Sequence, residues 1–181
     1  MARCGDVEIA GPCVSYVLEG ALAHTDSLGS GSTIRHGEIE RITAGTGIRH
    51  SEMNASDSDP VHFIQIWMLP ERCGLAPGCQ QKQMPTVTSP AQLDLVASRD
   101  GRDGSVLIHQ DLSLYRASMR ADADVRVPLV PGRYAWIQVV RGSGIVNGLY
   151  VDAGDGAAVS SETELLLTGR SDAEMLIFDL A

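Results

Sequence analysis

Apolar and polar positions along this chain alternate over short stretches and almost never recur at helical spacing, which predicts strands. In the first half, Val14–Leu18 reads as a buried strand and Ala21–His24 as its continuation past Gly20. Ser32–Arg35 and Ile39–Ile42 follow, set off by turns at Asp26–Gly31 and at His36-Gly37-Glu38. Thr43-Ala44-Gly45-Thr46-Gly47 predicts a tight turn, because glycine takes positive φ without steric cost. Arg49-His50-Ser51-Glu52 leaves that turn as a strand. Beyond Asn54–Pro60, the run Val61–Leu69 is rich in β-branched and aromatic residues and completes a hairpin. Residues two apart on a strand share a face, so His50 and Glu52 project together.

The second half repeats this texture. Leu93–Ala97, Ser105–His109, Ser113–Met119, Val125–Leu129, Tyr134–Val140, Glu164–Thr168 and Glu174–Leu180 read as strands. Turn signals lie at Asp122-Ala123-Asp124 and Pro131-Gly132-Arg133, and Gly142–Gly148, Asp152–Gly156 and Ser160–Thr163 act as separators. Short strands broken by glycine point to sandwiches or barrels. Between the halves, residues 70–90 hold four prolines, Gly74, Gly78 and several glutamines, an irregular connector. The expected layout is residues 1–70, a connector at 71–90, and residues 91–181. The halves echo one another: Tyr16–Gly20 with Ile137–Gly142, His36-Gly37-Glu38 with Ala153-Gly154-Asp155, and Val61–Leu69 with Glu174–Leu180. In this pairing Ser160-Ser161-Glu162-Thr163 stands where His50 and Glu52 stand in the first half. A metal set is therefore expected in the first half only, and the second half is read as structural.

Composition narrows the partners. A formal charge of −9 argues against direct nucleic-acid binding, because no basic stripe meets the phosphates. Lys82 is the only lysine. No apolar run reaches the roughly 18 residues of a membrane span, and the start shows no signal-peptide pattern, so a cytoplasmic protein is expected. Cys4, Cys13, Cys73 and Cys79 show no CxxC spacing and are expected as reduced thiols.

An imidazole beside a carboxylate suits a divalent first-row metal. The residues around this pair carry a resemblance. Gly37, Thr43-Ala44-Gly45, His50 and Asn54 resemble a variant of the second cupin motif. TAGTGIRHSE followed by VHFIQIWMLP resembles the pirin family, as do Tyr16-Val17-Leu18-Glu19-Gly20 with His24-Thr25-Asp26-Ser27-Leu28-Gly29, and Gly101-Arg102-Asp103-Gly104-Ser105 with Ile108-His109-Gln110-Asp111. The resemblance runs from about Tyr16 to Leu180. It implies an all-β bicupin of two jelly-roll (cupin) barrels with one metal, Fe(II) by family, in the N-terminal barrel. It also implies quercetin 2,3-dioxygenase activity in some members, and in pirin itself a nuclear role beside transcription factors.

The resemblance places His50 and Glu52 as metal ligands, with Glu52 also accepting the hydroxyl proton of a flavonol. The family's two further histidines, in an H-P-H segment before the Y-V-L-E-G strand, have no counterpart. Ungapped counting puts Asp6 and Glu8 there; an alignment with an insertion at Ala10–Cys13 puts Ala2 and Cys4 there instead. A set of Asp6, Glu8, His50 and Glu52 would favour harder metals such as manganese or magnesium. The family's opening segment also has no counterpart, so the N-terminal barrel is expected to be incomplete, with an open edge through which the chain could self-associate.

Plainer readings stand beside these. His50 and Glu52 could pair with Arg41, Arg49 or each other, and Asp6 and Glu8 could lie in a solvated terminal segment. His24 and Asp26 are expected to hold a turn, His62 to be a core or pocket residue, and His109 to lack a clustered partner. Trp67 and Trp136 are expected in the core. Two functions remain open: a metal-dependent quercetin 2,3-dioxygenase cleaving a small aromatic flavonol with O2, or a catalytically inactive binding or regulatory bicupin that contacts a protein partner.

Overall fold

A computed structural model describes residues 7–8 and 12–181, with side chains from residue 13 onward. The chain divides into two compact units: the first runs to Pro85 and takes in Val106–Gln110, and the second comprises Thr86–Ser105 and Asp111–Ala181.

The first unit is built from β1 (Val7–Glu8), β2 (Pro12–Glu19), β3 (Ala21–Asp26), β4 (Gly31–Arg35), β5 (Glu38–Thr43), β6 (Arg49–Asn54), β7 (His62–Trp67) and β8 (Gly78–Gln83). They form two four-stranded sheets in the orders β1-β6-β3-β4 and β7-β2-β5-β8, with every pair antiparallel. The inner faces meet in two apolar clusters. One joins Cys13, Ile42, Ala44 and Ile48; the other joins Val17, Leu22 and Ile34, with Val61 and Phe63 against it.

The second unit carries β9 (Ala91–Ser98), β11 (Leu112–Met119), β12 (Asp124–Pro128), β13 (Tyr134–Arg141), β14 (Ser143–Val146), β15 (Leu149–Asp152), β16 (Gly156–Val159), β17 (Glu164–Gly169) and β18 (Ala173–Leu180); the short β10 (Val106–Leu107) belongs to the first unit. The order is β9-β11-β18-β13-β16 in one sheet and β12-β17-β14-β15 in the other. Their inner faces enclose one apolar cluster that includes Val139, Val146, Leu165, Leu167, Met175 and Ile177. Away from it, Arg116 and Asp94, opposite one another on β11 and β9, form a buried ion pair.

The internal repeat holds at the centre of each sheet. β2 lies between β5 and β7 as β13 lies between β16 and β18, and β3 lies between β4 and β6 as β14 lies between β15 and β17. Gly20 and Gly142 close the corresponding corners with φ of +72° and +68°. A Cβ at Gly20 would sit 2.3 Å from the Pro60 carbonyl oxygen, and one at Gly142 would sit 2.1 Å from that of Asp172. Both corners need glycine for its φ and for this close approach.

Several expectations change. β8 lies inside the expected connector, and β14 occupies a stretch read as a separator. Gly78-Cys79-Gln80-Gln81-Lys82-Gln83 is too polar to signal a strand, yet its half-exposed alternation suits the outermost position of a sheet. Trp67 and Trp136 are 53% and 40% exposed rather than core residues. The counterpart of His50 and Glu52 is not Ser160–Thr163. The register opposes Leu22 to Asn54 and Gly144 to Gly169, so His50 and Glu52 match Leu165 and Leu167 on β17.

Candidate metal centre

On β6, His50 and Glu52 share the inner face, as strand alternation requires. The antiparallel register sets His24 opposite Glu52 and Asp26 opposite His50. The rings of His24 and His50 consequently meet edge to face, with centroids 5.3 Å apart. From the facing sheet, Ser15 of β2 lies opposite Glu40 of β5 and Gln65 of β7. A polar layer thus crosses the first unit, with the two apolar clusters packed in the same interior.

The same layer in the second unit is apolar. Carried through the repeat, Ser15, His24, Glu40, His50, Glu52 and Gln65 become Ile137, Val146, Ala157, Leu165, Leu167 and Ile177. The architecture itself therefore does not call for polar groups here. Buried polar groups cost free energy unless they are paired, so this layer points to a ligand.

The pairing inside the layer is uneven. Gln65 Nε2 donates to Glu52 Oε2 at 2.7 Å and Ser15 Oγ to Oε1 at 3.3 Å. Trp67 Nε1 donates to Gln65 Oε1 at 3.1 Å and so turns the Gln65 amide nitrogen toward Glu52. Glu40 Oε1 accepts from Ser32 Oγ at 2.5 Å and from Cys79 Sγ at 3.0 Å. Among the described residues, both nitrogens of His24, Nδ1 of His50 and Oε2 of Glu40 are buried with no hydrogen-bond partner. His24 Nδ1 stands 3.8 Å from Glu40 Oε2, beyond hydrogen-bond reach.

Burial pushes the His50 imidazole below its ordinary value; the Glu52 charge opposes this shift, and His24 reinforces it. Burial, followed by the charges of Glu52 and Glu40, pushes the Cys13 thiol up to about 12. Burial also raises the Cys79 thiol, with the Glu40 hydrogen bond adding to it.

The donor set fits a divalent metal at His50 and Glu52. His50 Nδ1 has no hydrogen-bond partner, and each Glu52 oxygen keeps acceptor capacity beyond the one hydrogen bond it receives. The remaining sequence candidates stand differently. Asp6, Ala2 and Cys4 lie outside the described residues. The backbone of Glu8 pairs with Arg49, and it is Val7 that lies opposite His50.

Asp26 holds its turn as expected: Oδ1 accepts from the backbone N–H of Leu28 at 2.8 Å and of Ser30 at 3.0 Å. His24 does not hold that turn; it points into the layer and is 2% exposed. His62 is exposed. Cys13, Cys73 and Cys79 are free thiols. Among the described residues, no helix is long and apolar enough to cross a membrane.

Residues 9–68 match the family model described as Pirin, and residues 95–180 match the quercetinase C-terminal cupin domain. The chain is 40% identical over 175 residues to a quercetin 2,3-dioxygenase of Escherichia coli K12, covering 97% of this chain and 73% of that protein. It is 36% identical to a putative quercetin 2,3-dioxygenase of Pasteurella multocida, again over 97% of this chain and 73% of that protein. Among solved structures it resembles the bacterial pirin YhhW of E. coli in complex with nickel(II), with a TM-score of 0.90 and 38% identity over 97% of this chain and 75% of that one.

Proposed function

We propose a function from one premise: the chain belongs to the pirin family of two-barrel cupin proteins. It is a metal-dependent quercetin 2,3-dioxygenase acting on a flavonol-like aromatic substrate. The observation that carries this reading is the polar layer at His50 and Glu52, set in a fold whose second copy of the same layer is aliphatic.

His50 and Glu52 would hold the metal, Fe(II) by family or another divalent ion such as the nickel bound by the E. coli relative. When bound, the metal supplies a Lewis acid that draws negative charge onto a flavonol oxygen and brings O2 within reach. The protein's own residues do the rest. Burial favours the neutral form of His50, which keeps a ring-nitrogen lone pair available for a ligand. Ser15 and Gln65 fix the Glu52 carboxylate while leaving it lone pairs, so Glu52 accepts the substrate's hydroxyl proton. The apolar residues around the layer, Val17, Leu22, Phe63 and Ile42 among them, exclude water from the ring being cleaved.

The test is metal-loaded protein with quercetin and O2. Loss of the flavonol absorbance with matching O2 uptake and carbon monoxide release supports the reading, provided Glu52→Gln abolishes it. A protein that holds stoichiometric metal yet leaves quercetin intact would favour the other reading. In that case the chain is an inactive cytoplasmic pirin-like module that binds a protein partner or a second copy of itself.

A further inference from the structure

The orphaned atoms of the polar layer do not all belong to the His50–Glu52 pair. His24, Glu40 and Cys79 offer an imidazole nitrogen, a carboxylate oxygen and a thiol sulfur, all within 4.8 Å of one another. We propose that these three residues form a separate metal site for a borderline-soft divalent cation such as zinc.

Three observations carry it, and none depends on the dioxygenase reading. The first is the state of the two buried residues. His24 is 2% exposed and Glu40 0%, yet His24 Nδ1 and Nε2 and Glu40 Oε2 have no hydrogen-bond partner among the described residues. Leaving buried polar atoms unpaired is destabilising, and most of all for a carboxylate. A cation reached by one His24 nitrogen and Glu40 Oε2 satisfies one of these atoms on each residue at once.

The second is the donor chemistry. One nitrogen, one oxygen and one sulfur make up a three-ligand set of the kind that leaves zinc a fourth position for water. Cys79 lies on the outermost strand β8 and is solvent-exposed, which gives both the ion and that water a way in. Glu40 Oε1 is already held by Ser32 Oγ and Cys79 Sγ, so the carboxylate is oriented before an ion arrives.

The third is the repeat. The second-unit counterparts of His24 and Glu40 are Val146 and Ala157, so neither position needs a polar side chain for this fold to form.

The balance is simple. The Cys79 S–H bond breaks, the proton passes to solvent, and a sulfur–metal bond replaces it. With neutral His24, the Glu40 carboxylate and the Cys79 thiolate together cancel the two charges of the ion. No electrons are transferred.

Cobalt(II) distinguishes this site from one at His50 and Glu52, because only a thiolate ligand gives an intense near-ultraviolet charge-transfer band. One equivalent of cobalt(II) added to the full, reduced chain is expected to raise that band. The band should be lost in Cys79→Ser and Glu40→Gln and retained in Glu52→Gln, which alters only the family pair. Alkylation mapped by mass spectrometry on the unmodified protein gives an independent reading. One equivalent of zinc should protect Cys79 while leaving the exposed Cys73 reactive. Absence of the band, its survival in Cys79→Ser, or zinc-insensitive alkylation of Cys79 overturns the proposal. Loss of quercetin turnover in Glu52→Gln with the cobalt–thiolate band intact would separate the two centres.

Discussion

Glu52 is held from two sides, and the two holds differ in strength. Gln65, itself oriented by Trp67, makes the 2.7 Å bond, and Ser15 makes the longer one. Gln65→Leu should therefore lower kcat more than Ser15→Ala. Glu52→Gln, which keeps the shape but removes the base, should lower kcat by about 100-fold or more if the carboxylate moves a proton. Metal content measured beside the rates separates a lost base from a lost ligand. His50 makes a second residue-level prediction, for the metal-free protein. His24, Glu40, Asp26 and Glu52 surround it, and burial dominates them, so the folded state binds the His50 proton less readily than the unfolded state, whose value is near 6.5. The unfolded state then carries more protons in mildly acidic solution, and stability rises with pH. The melting temperature of chelator-treated protein should fall as pH drops below about 6.5. His50→Asn should flatten that fall; an unchanged slope would mean that another group governs it.

At the scale of the elements, the two glycine corners make matched tests. Alanine at Gly20 or Gly142 meets a backbone carbonyl at 2.3 or 2.1 Å and must hold a positive φ. Each substitution should destabilise its own unit by about 2 kcal/mol or more, read from denaturant unfolding followed in that unit. Gly29→Ala is the control, since its φ is also positive but its Cβ meets nothing within 4 Å. It should cost less than either corner. Strand alternation made the face shared by His50 and Glu52 legible in advance, and the glycine before each turn marked the corners. Other elements were hidden for physical reasons. β8 carries no apolar side chain to mark a face, because an outermost strand need bury little. β14 and β15 join through Asn147-Gly148, both at positive φ, a two-residue hairpin turn whose composition mimics a loop. Glu40 lies in Ile39-Glu40-Arg41-Ile42, where Ile39, Glu40 and Ile42 are all buried, so no alternation betrayed its direction. His24 was closer to legible: it alternates with Leu22 and Asp26, and all three are buried on one face. Cys79 came near only through the pairing of β5 with β8, which opposes it to Ile42.

Across the whole molecule, the two units share their central strand pairings but have different interiors. Leu165, Leu167, Ile137, Ile177 and Val146 are buried hydrocarbon where the first unit buries His50, Glu52, Ser15, Gln65 and His24 to varying depth. Each fully buried aliphatic side chain adds roughly 1.5–3 kcal/mol, so a few such differences are a large share of a total near 5–15 kcal/mol. The second unit has burdens of its own in the Arg116–Asp94 pair and in Ser118 Oγ, which is buried without a partner; the pair is closed, however, and among the described residues the first unit leaves more buried polar atoms open, on His24, Glu40, Arg41 and His50. Without metal, the first unit should be the less stable of the two. Hydrogen exchange on the chelated protein is expected to show faster exchange in β2, β3, β5 and β6 than in their counterparts β13, β14, β16 and β17. A divalent metal binds only the folded first unit, so at 100 times its dissociation constant it should stabilise that unit by about 2.7 kcal/mol and slow its globally exchanging amides by roughly 100-fold. The second unit should be left unchanged. Equal protection of both units in the chelated protein would mean that the polar layer is not the weak point of the fold. Slowing of both units together would mean that they unfold as one.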